Sequence, residues 1–333
     1  MKTKALTNNE FWLKRFLPAI LLVIILIAIL ALFQNSFLIH NKTNNLTLFW
    51  SLRISSLLIY IAMSFWMIYE LNRSFLKAKT TSLIMSLISL VTLFLSPNYF
   101  KQVLIGQFSW TLKDLFINDG IGVNLILIAL LPFVFFLINF LTAPKEILVK
   151  ELFIKTIYFA VANTILMVFL KAFIIINTNP KGLEIILLTI LIATASDTGG
   201  FFGGKLFGHK IFKNKLAPQI SPKKTIEGAI IGYLFALLIS FIFIFSWKAI
   251  NPTNNLASDL LQNQVKRIAL LFFILFAPLA AIFGDLFFSL VKRKLGIKDY
   301  SKILKDHGGI LDRLDSIATV FLLWTLFAIP FVF

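Results

Sequence analysis

The chain has 333 residues, 59% of them hydrophobic and only 14% charged, with a mean hydropathy of +0.89. Soluble domains run at about 45–50% apolar and about 25% charged, so this composition excludes a water-soluble globule and makes lipid the solvent for most of the chain. The net charge of +17 suits loops facing anionic lipid, not nucleic acid, and the lack of Cys excludes disulfides, thiolate nucleophiles and Cys-based zinc sites.

A membrane-crossing helix needs roughly 20 mostly apolar residues. On that criterion the expected fold is an all-α integral membrane bundle of about nine spans. They fall near Phe16–Phe33, Leu48–Tyr69, Ser82–Leu95, Val123–Thr142, Leu152–Ile176, Leu183–Ala195, Gly228–Ile250, Ile268–Phe288 and Ser316–Phe333. The first is too long for the apolar core of a cleaved signal peptide, and no small-residue cleavage site follows it. Lys and Arg collect in alternate loops: before the first span, after the second (Arg73, Lys77, Lys79), after the sixth (Lys205 to Lys224) and after the eighth (Lys292 to Lys305). The positive-inside rule then puts the N-terminus and these loops in the cytoplasm and the C-terminus outside. Polar clusters are confined to the later part of the chain. Residues 1–182 read as a transmembrane scaffold, and residues 183–333 as a catalytic region with cytoplasmic loops 196–227 and 289–315.

Five of the 15 acids fall in one short stretch: Asp285, Asp299, Asp306, Asp312 and Asp315. Asp285 lies inside an apolar helix, where a charge is costly and marks either a functional group or an ion pair with a neighbouring Lys or Arg. Asp312 and Asp315 share one face of a helical start, where they can serve the helix dipole or a ligand. His307, Gly308, Gly309 and Arg313 stand beside them, and glycines let backbone amides approach a ligand closely. Carboxylates interspersed with cations fit a magnesium–polyphosphate site, in which one or two Asp residues and the phosphates share the metal.

A second cluster runs from Ser196-Asp197-Thr198-Gly199-Gly200 to Gly204-Lys205. It nearly spells a P-loop but has Leu206 where Ser or Thr is needed, and it follows a membrane helix instead of a strand. The four-residue spacing of Gly200, Gly204 and Gly208, and of Gly228 and Gly232, also suits close helix packing. Packing leaves Asp197 unexplained, so at the end of an apolar helix it reads as a ligand contact. A third cluster, Ser221-Pro222-Lys223-Lys224-Thr225-Ile226-Glu227-Gly228, opens the next span, with Glu227 as a candidate lysine partner or cap.

Ser289, Lys292-Arg293, Lys298-Asp299 and His307-Gly308-Gly309 through Asp312-Arg313 to Asp315 together resemble the signature of the phosphatidate cytidylyltransferases, or CDP-diacylglycerol synthases. Gly284-Asp285, Ser196-Asp197-Thr198 and the Ser221–Gly228 run are similar to the same family. The resemblance covers about Leu183 to Phe333, and Lys305 departs from it at a position where the family has Pro or a small residue. It implies transfer of a cytidylyl group from CTP to phosphatidate, releasing pyrophosphate, on the cytoplasmic face of a cell membrane. Asp285 and Asp312 are then the implied metal ligands, with His307, Asp315 and Lys298 as further catalytic candidates. Lys292, Arg293, Ser221, Lys223, Lys224, Thr225, Gly308, Gly309, Arg313 and Asp197 are the implied substrate-binding residues. Mg²⁺ is the expected cofactor, a second, monovalent cation is an additional candidate, and a homodimer is expected. Competing readings are a CDP-archaeol synthase, a polyprenol or dolichol kinase, or an anion transporter; the last would place polar groups at the midplane of broken helices.

Overall fold

The computed structural model describes residues 17–38, 45–76, 78–96, 99, 104, 121–142, 149–304 and 308–328. Helices dominate them. In chain order they are α1 (Leu17–Leu38), α2 (Leu46–Phe75), α3 (Lys79–Leu93), α4 (Ile121–Thr142), α5 (Val149–Thr178), α6 (Gly182–Phe207), α7 (Ile226–Ile250), α8 (Leu256–Gln262), α9 (Gln264–Lys294) and α10 (Leu311–Leu323). A turn of π-helix, Trp324–Ala328, continues α10. Five of these helices, α2, α5, α6, α7 and α9, are long and apolar enough to cross a membrane. Val23–Phe37, Lys79–Leu93 and Ala129–Thr142 are apolar but shorter.

Local chemistry explains the helix starts. Asn45, Thr225, Asn255 and Asn263 each cap a helix, their side-chain oxygens accepting the backbone N–H three residues on. Within the bundle, buried hydroxyls satisfy themselves on carbonyls of their own helix, as Ser82, Ser86 and Ser89 do along α3. Others tie helices together. Ser36 meets Ser56 at 2.8 Å between α1 and α2, and the Tyr60 hydroxyl of α2 donates to the Leu170 carbonyl of α5 at 2.9 Å. Asn72 of α2 donates to Ser86 of α3 at 3.0 Å.

The expected helical membrane-type bundle is present, with three differences of detail. The expected all-α fold contains a small antiparallel hairpin, β1 (Lys215–Ala217) with β2 (Ser221–Thr225), whose strands are too short to show alternation in sequence. The sixth span does not end at Ala195: α6 continues to Phe207 and carries Asp197 and four glycines within regular helix, so the loop expected over 196–227 contracts to 208–225. Likewise α9 runs on to Lys294, which places Asp285 well inside it, and α10 begins at Leu311; residues 289–294 and 311–315 of the loop expected over 289–315 are helical.

The α6 glycines persist in helix because α7 needs their surface. A Cβ on Gly232 would lie 2.5 Å from the Ser196 carbonyl oxygen and 2.9 Å from the Gly200 nitrogen, and one on Gly228 would lie 2.7 Å from the Gly200 oxygen. The two backbones therefore touch, in the manner of small-residue crossings between membrane helices. Gly200 differs, since a Cβ there meets nothing closer than 3.6 Å. Gly232→Ala is accordingly expected to destabilise by about 1–3 kcal/mol through overpacking. Gly200→Ala is expected to be neutral, or to stabilise by up to about 1 kcal/mol through helix propensity. Thermal unfolding of the two variants side by side checks the contrast.

Candidate active site

Helices α6, α7 and α9 and the hairpin enclose a cavity of about 470 Å³. Of the residues singled out in sequence, Asp197, Ser221, Lys223, Lys224, Thr225 and Asp285 line it. Each arrives by a different route. Asp197 projects from mid-α6, and Asp285 from α9. Lys224 lies near the end of β2, one residue before Thr225, whose hydroxyl accepts the Gly228 N–H at 3.1 Å and starts α7. Lys224 closes an ion pair on Asp285 across the cavity, and Ser289, one turn on, donates to the other Asp285 oxygen at 3.3 Å. Lys223, next to Lys224 in the strand, stays exposed. Glu227 neither caps α7 nor takes a lysine. It accepts the backbone N–H groups of Ile211 and Phe212, at 3.1 and 2.8 Å, and so pins the chain leading into the hairpin.

Beside the cavity lies a second polar cluster at the start of α10. Lys292, buried on α9, donates to Asp312 at 2.8 Å and stands 3.6 Å from Asp315. The remaining Asp312 oxygen accepts from the Tyr300 and Gly309 N–H groups, at 2.8 and 2.9 Å. Asp312 thus holds Tyr300 and Gly309 against the helix it begins. Gly308 takes φ +77, a left-handed conformation that favours glycine, and a Cβ there would press on Asp312 at 3.1 Å. Burial, and then the charges of Asp315 and Asp312, hold the Tyr300 phenol well above its ordinary range, so it is a neutral hydroxyl beside them.

Other sequence candidates are not drawn in to the same degree. Arg293 reaches from α9 to the Ile220 carbonyl of the hairpin and to the Ile297 carbonyl, both at 3.4 Å, and so bridges hairpin and loop at the surface. Lys298 and Arg313 are exposed, and neither lines the cavity. His307, with Lys305 and Asp306, lies outside the described residues.

The residue that sequence reasoning missed is Glu70. It sits near the end of α2, is 2% exposed, and reaches more than 200 positions along the chain. Its carboxylate accepts from Ser301 Oγ at 2.6 Å, from the Ile310 and Leu311 N–H groups at 3.2 and 2.8 Å, and from the Trp66 indole at 2.9 Å. An anion on the first N–H groups of α10 satisfies donors the helix cannot satisfy itself. Gly309 is the counterpart of this contact: a Cβ there would fall 2.6 Å from a Glu70 oxygen.

The arrangement, carboxylates alternating with lysines at a cavity where apolar helices end, is suited to binding and aligning phosphates. A family model described as the cytidylyltransferase family matches residues 11–330. The chain belongs to that family. Among curated proteins it is 37% identical to a phosphatidate cytidylyltransferase of Haemophilus influenzae over 137 residues, 41% of this chain and 42% of that protein. It is 43% identical to one from Helicobacter pylori strain J99 over 136 residues, 40% and 43% of the two chains. It is 35% identical to one from Bacillus subtilis over 157 residues, 47% and 49% of the two. Each of these matches spans less than half of the relative's length. Family membership, by contrast, takes in both halves of this chain, including α2 and its Glu70.

Proposed function

We propose that this protein is a phosphatidate cytidylyltransferase, converting CTP and phosphatidate to CDP-diacylglycerol and pyrophosphate for phospholipid synthesis. The observation that carries the reading is the convergence of Lys223, Lys224, Asp197 and Asp285 on one cavity formed by three membrane-type helices. That position suits a reaction whose one substrate is water-soluble and whose other is anchored in lipid. In the reaction a phosphatidate oxygen bonds to the α-phosphorus of CTP, and the bond from that phosphorus to the pyrophosphate oxygen breaks. The phosphate monoester is already anionic near neutral pH, so the demand on the protein is alignment and charge neutralisation, not proton abstraction. Lys205, Lys223 and Lys224 are the cations lining the cavity among the described residues, and Lys292 stands behind Asp312 and Asp315. Incoming phosphates compete with Asp285 for Lys224, freeing a carboxylate oxygen as negative charge enters.

Among the described residues no three of His, Asp and Glu stand close enough to hold a metal between them. Mg²⁺ takes one or two carboxylates and completes its shell with phosphates and water, and the donor set here is all oxygen. Asp285, at the cavity, would hold it, with Asp312 the second ligand that the resemblance implies, and its charge would offset that on the phosphates during transfer. We extend the proposal to the topology, about nine spans with the N-terminus and the site on the cytoplasmic face of a bacterial cell membrane by the positive-inside rule, and to the homodimer that the resemblance implies. Purified protein incubated with labelled CTP, phosphatidate and Mg²⁺ is expected to form CDP-diacylglycerol, and Asp285→Ala to lose at least about 100-fold in kcat. Absence of product from the wild type refutes the activity. Full activity in Asp312→Ala refutes its role as a metal ligand.

A further inference from the structure

A larger cavity, about 800 Å³, lies apart from the catalytic one and shares no lining residue with it. It forms where α2 ends, α5 begins and α9 ends, so it sits at the same end of the bundle as Lys292 and Arg293. Among the described residues three cations line it, Arg73 from α2, Lys155 from α5 and Lys294 from α9, against one carboxylate, Glu151. Two of the three are held in place. Arg73 donates to the Leu76 carbonyl at 2.8 Å, and Lys155 to Asn139 Oδ1 at 3.1 Å. Lys294 extends from the last turn of α9 and is exposed. The walls between these charges are apolar: Phe75, Leu76, Ile154 and Leu295.

Neither half of this lining accounts for the other. A site for a soluble anion gains nothing from apolar walls, and a groove for acyl chains alone does not gather three cations. A phosphate carrying an acylated glycerol meets both conditions, and basic residues where membrane helices end attract anionic headgroups. The volume lies within the range of small-molecule sites and takes a headgroup with the first part of its chains. We propose that this cavity binds the phosphodiester headgroup of an anionic phospholipid that is not the substrate. Because α9 also carries Asp285 and Lys292, the bound lipid braces the helix that links this cavity to the catalytic one.

The site is tested by binding, independently of catalysis. Full-length protein in neutral detergent is titrated with phosphatidylglycerol, phosphatidylcholine, glycerol 3-phosphate and inorganic phosphate, and bound ligand is counted by native mass spectrometry. Phosphatidylglycerol is expected to bind in preference to the other three. Lys294→Glu is expected to weaken it at least about fivefold, with an unchanged unfolding temperature in the absence of lipid. Lys223→Gln, in the catalytic cavity, is expected to leave this binding as it is. Equal binding of phosphatidylcholine, or undiminished binding by Lys294→Glu, overturns the proposal. Equal affinity for inorganic phosphate shows a soluble-anion site and overturns it as well. A loss in Lys223→Gln matching that in Lys294→Glu places the lipid in the catalytic cavity instead.

Discussion

Glu70→Ala is expected to lower kcat for cytidylyl transfer at least about 100-fold while changing KM for CTP far less. The Ile310 and Leu311 N–H groups both depend on this carboxylate, as does the Ser301 hydroxyl. Leaving a buried donor without an acceptor costs about 1–3 kcal/mol, and more where the lost partner is charged. The protein can escape that cost by letting the start of α10 move into water. Such a shift carries Asp312 and Asp315 with it, and a displacement of about 1 Å at a phosphoryl-transfer site is enough for a 100-fold loss. Glu70→Gln keeps one acceptor oxygen and should recover part of the rate, whereas a purely steric role for the side chain predicts full recovery. Steady-state kinetics of both variants, with unfolding temperatures alongside, decide between these. A wild-type kcat in Glu70→Ala removes the residue from any role in placing α10.

The second large effect is expected at Lys292. Its ammonium group is the shared partner of Asp312 and Asp315 and lies 5.3 Å from the centre of the Tyr300 ring. Lys292→Met fills much of the same volume but leaves two sequestered carboxylates without their cation, a change that costs about 3–5 kcal/mol when one partner of a buried pair is removed. Unfolding should therefore occur several degrees lower, and transfer should be lost. Lys223→Ala makes the comparison. Lys223 is exposed at the cavity, so its removal should leave stability within about 0.5 kcal/mol and appear instead as a raised KM for CTP. If the two variants unfold at the same temperature, Lys292 is not the electrostatic keystone its contacts suggest.

Hydropathy made the long helices legible, because an apolar stretch in lipid has few alternatives to helix. The polar clusters were legible for the related reason that a charge in such surroundings is expensive. That signal picked out Asp197, Asp285 and the Ser221–Gly228 run, and the structure brings them to one cavity. The same signal was present at Glu70, the one acid between Glu10 and Asp114, on an otherwise apolar helix. It escaped notice because the groups it serves are backbone N–H groups in a distant loop, and no local pattern announces a partner so remote. The four-residue spacing of glycines in both segments signalled close packing, and the crossing shows it; what Gly-Gly pairs, which ordinarily signal a loop, concealed is that α6 stays helical through them. The hairpin was unreadable because Pro218 and Pro222 and strands of three and five residues leave no alternating pattern.

The contact between α6 and α7 also limits how the site can move. Packed helices shear past one another by letting side chains change rotamer. At Gly228 and Gly232 there are no side chains to do so, and the opposing surface is backbone. The pair is therefore a single rigid plate that carries Asp197 on one helix and, through Thr225, the root of the hairpin on the other. In the proposed reaction, opening for CTP, closure around it and release of pyrophosphate then fall to the hairpin, with α6 and α7 as the fixed wall.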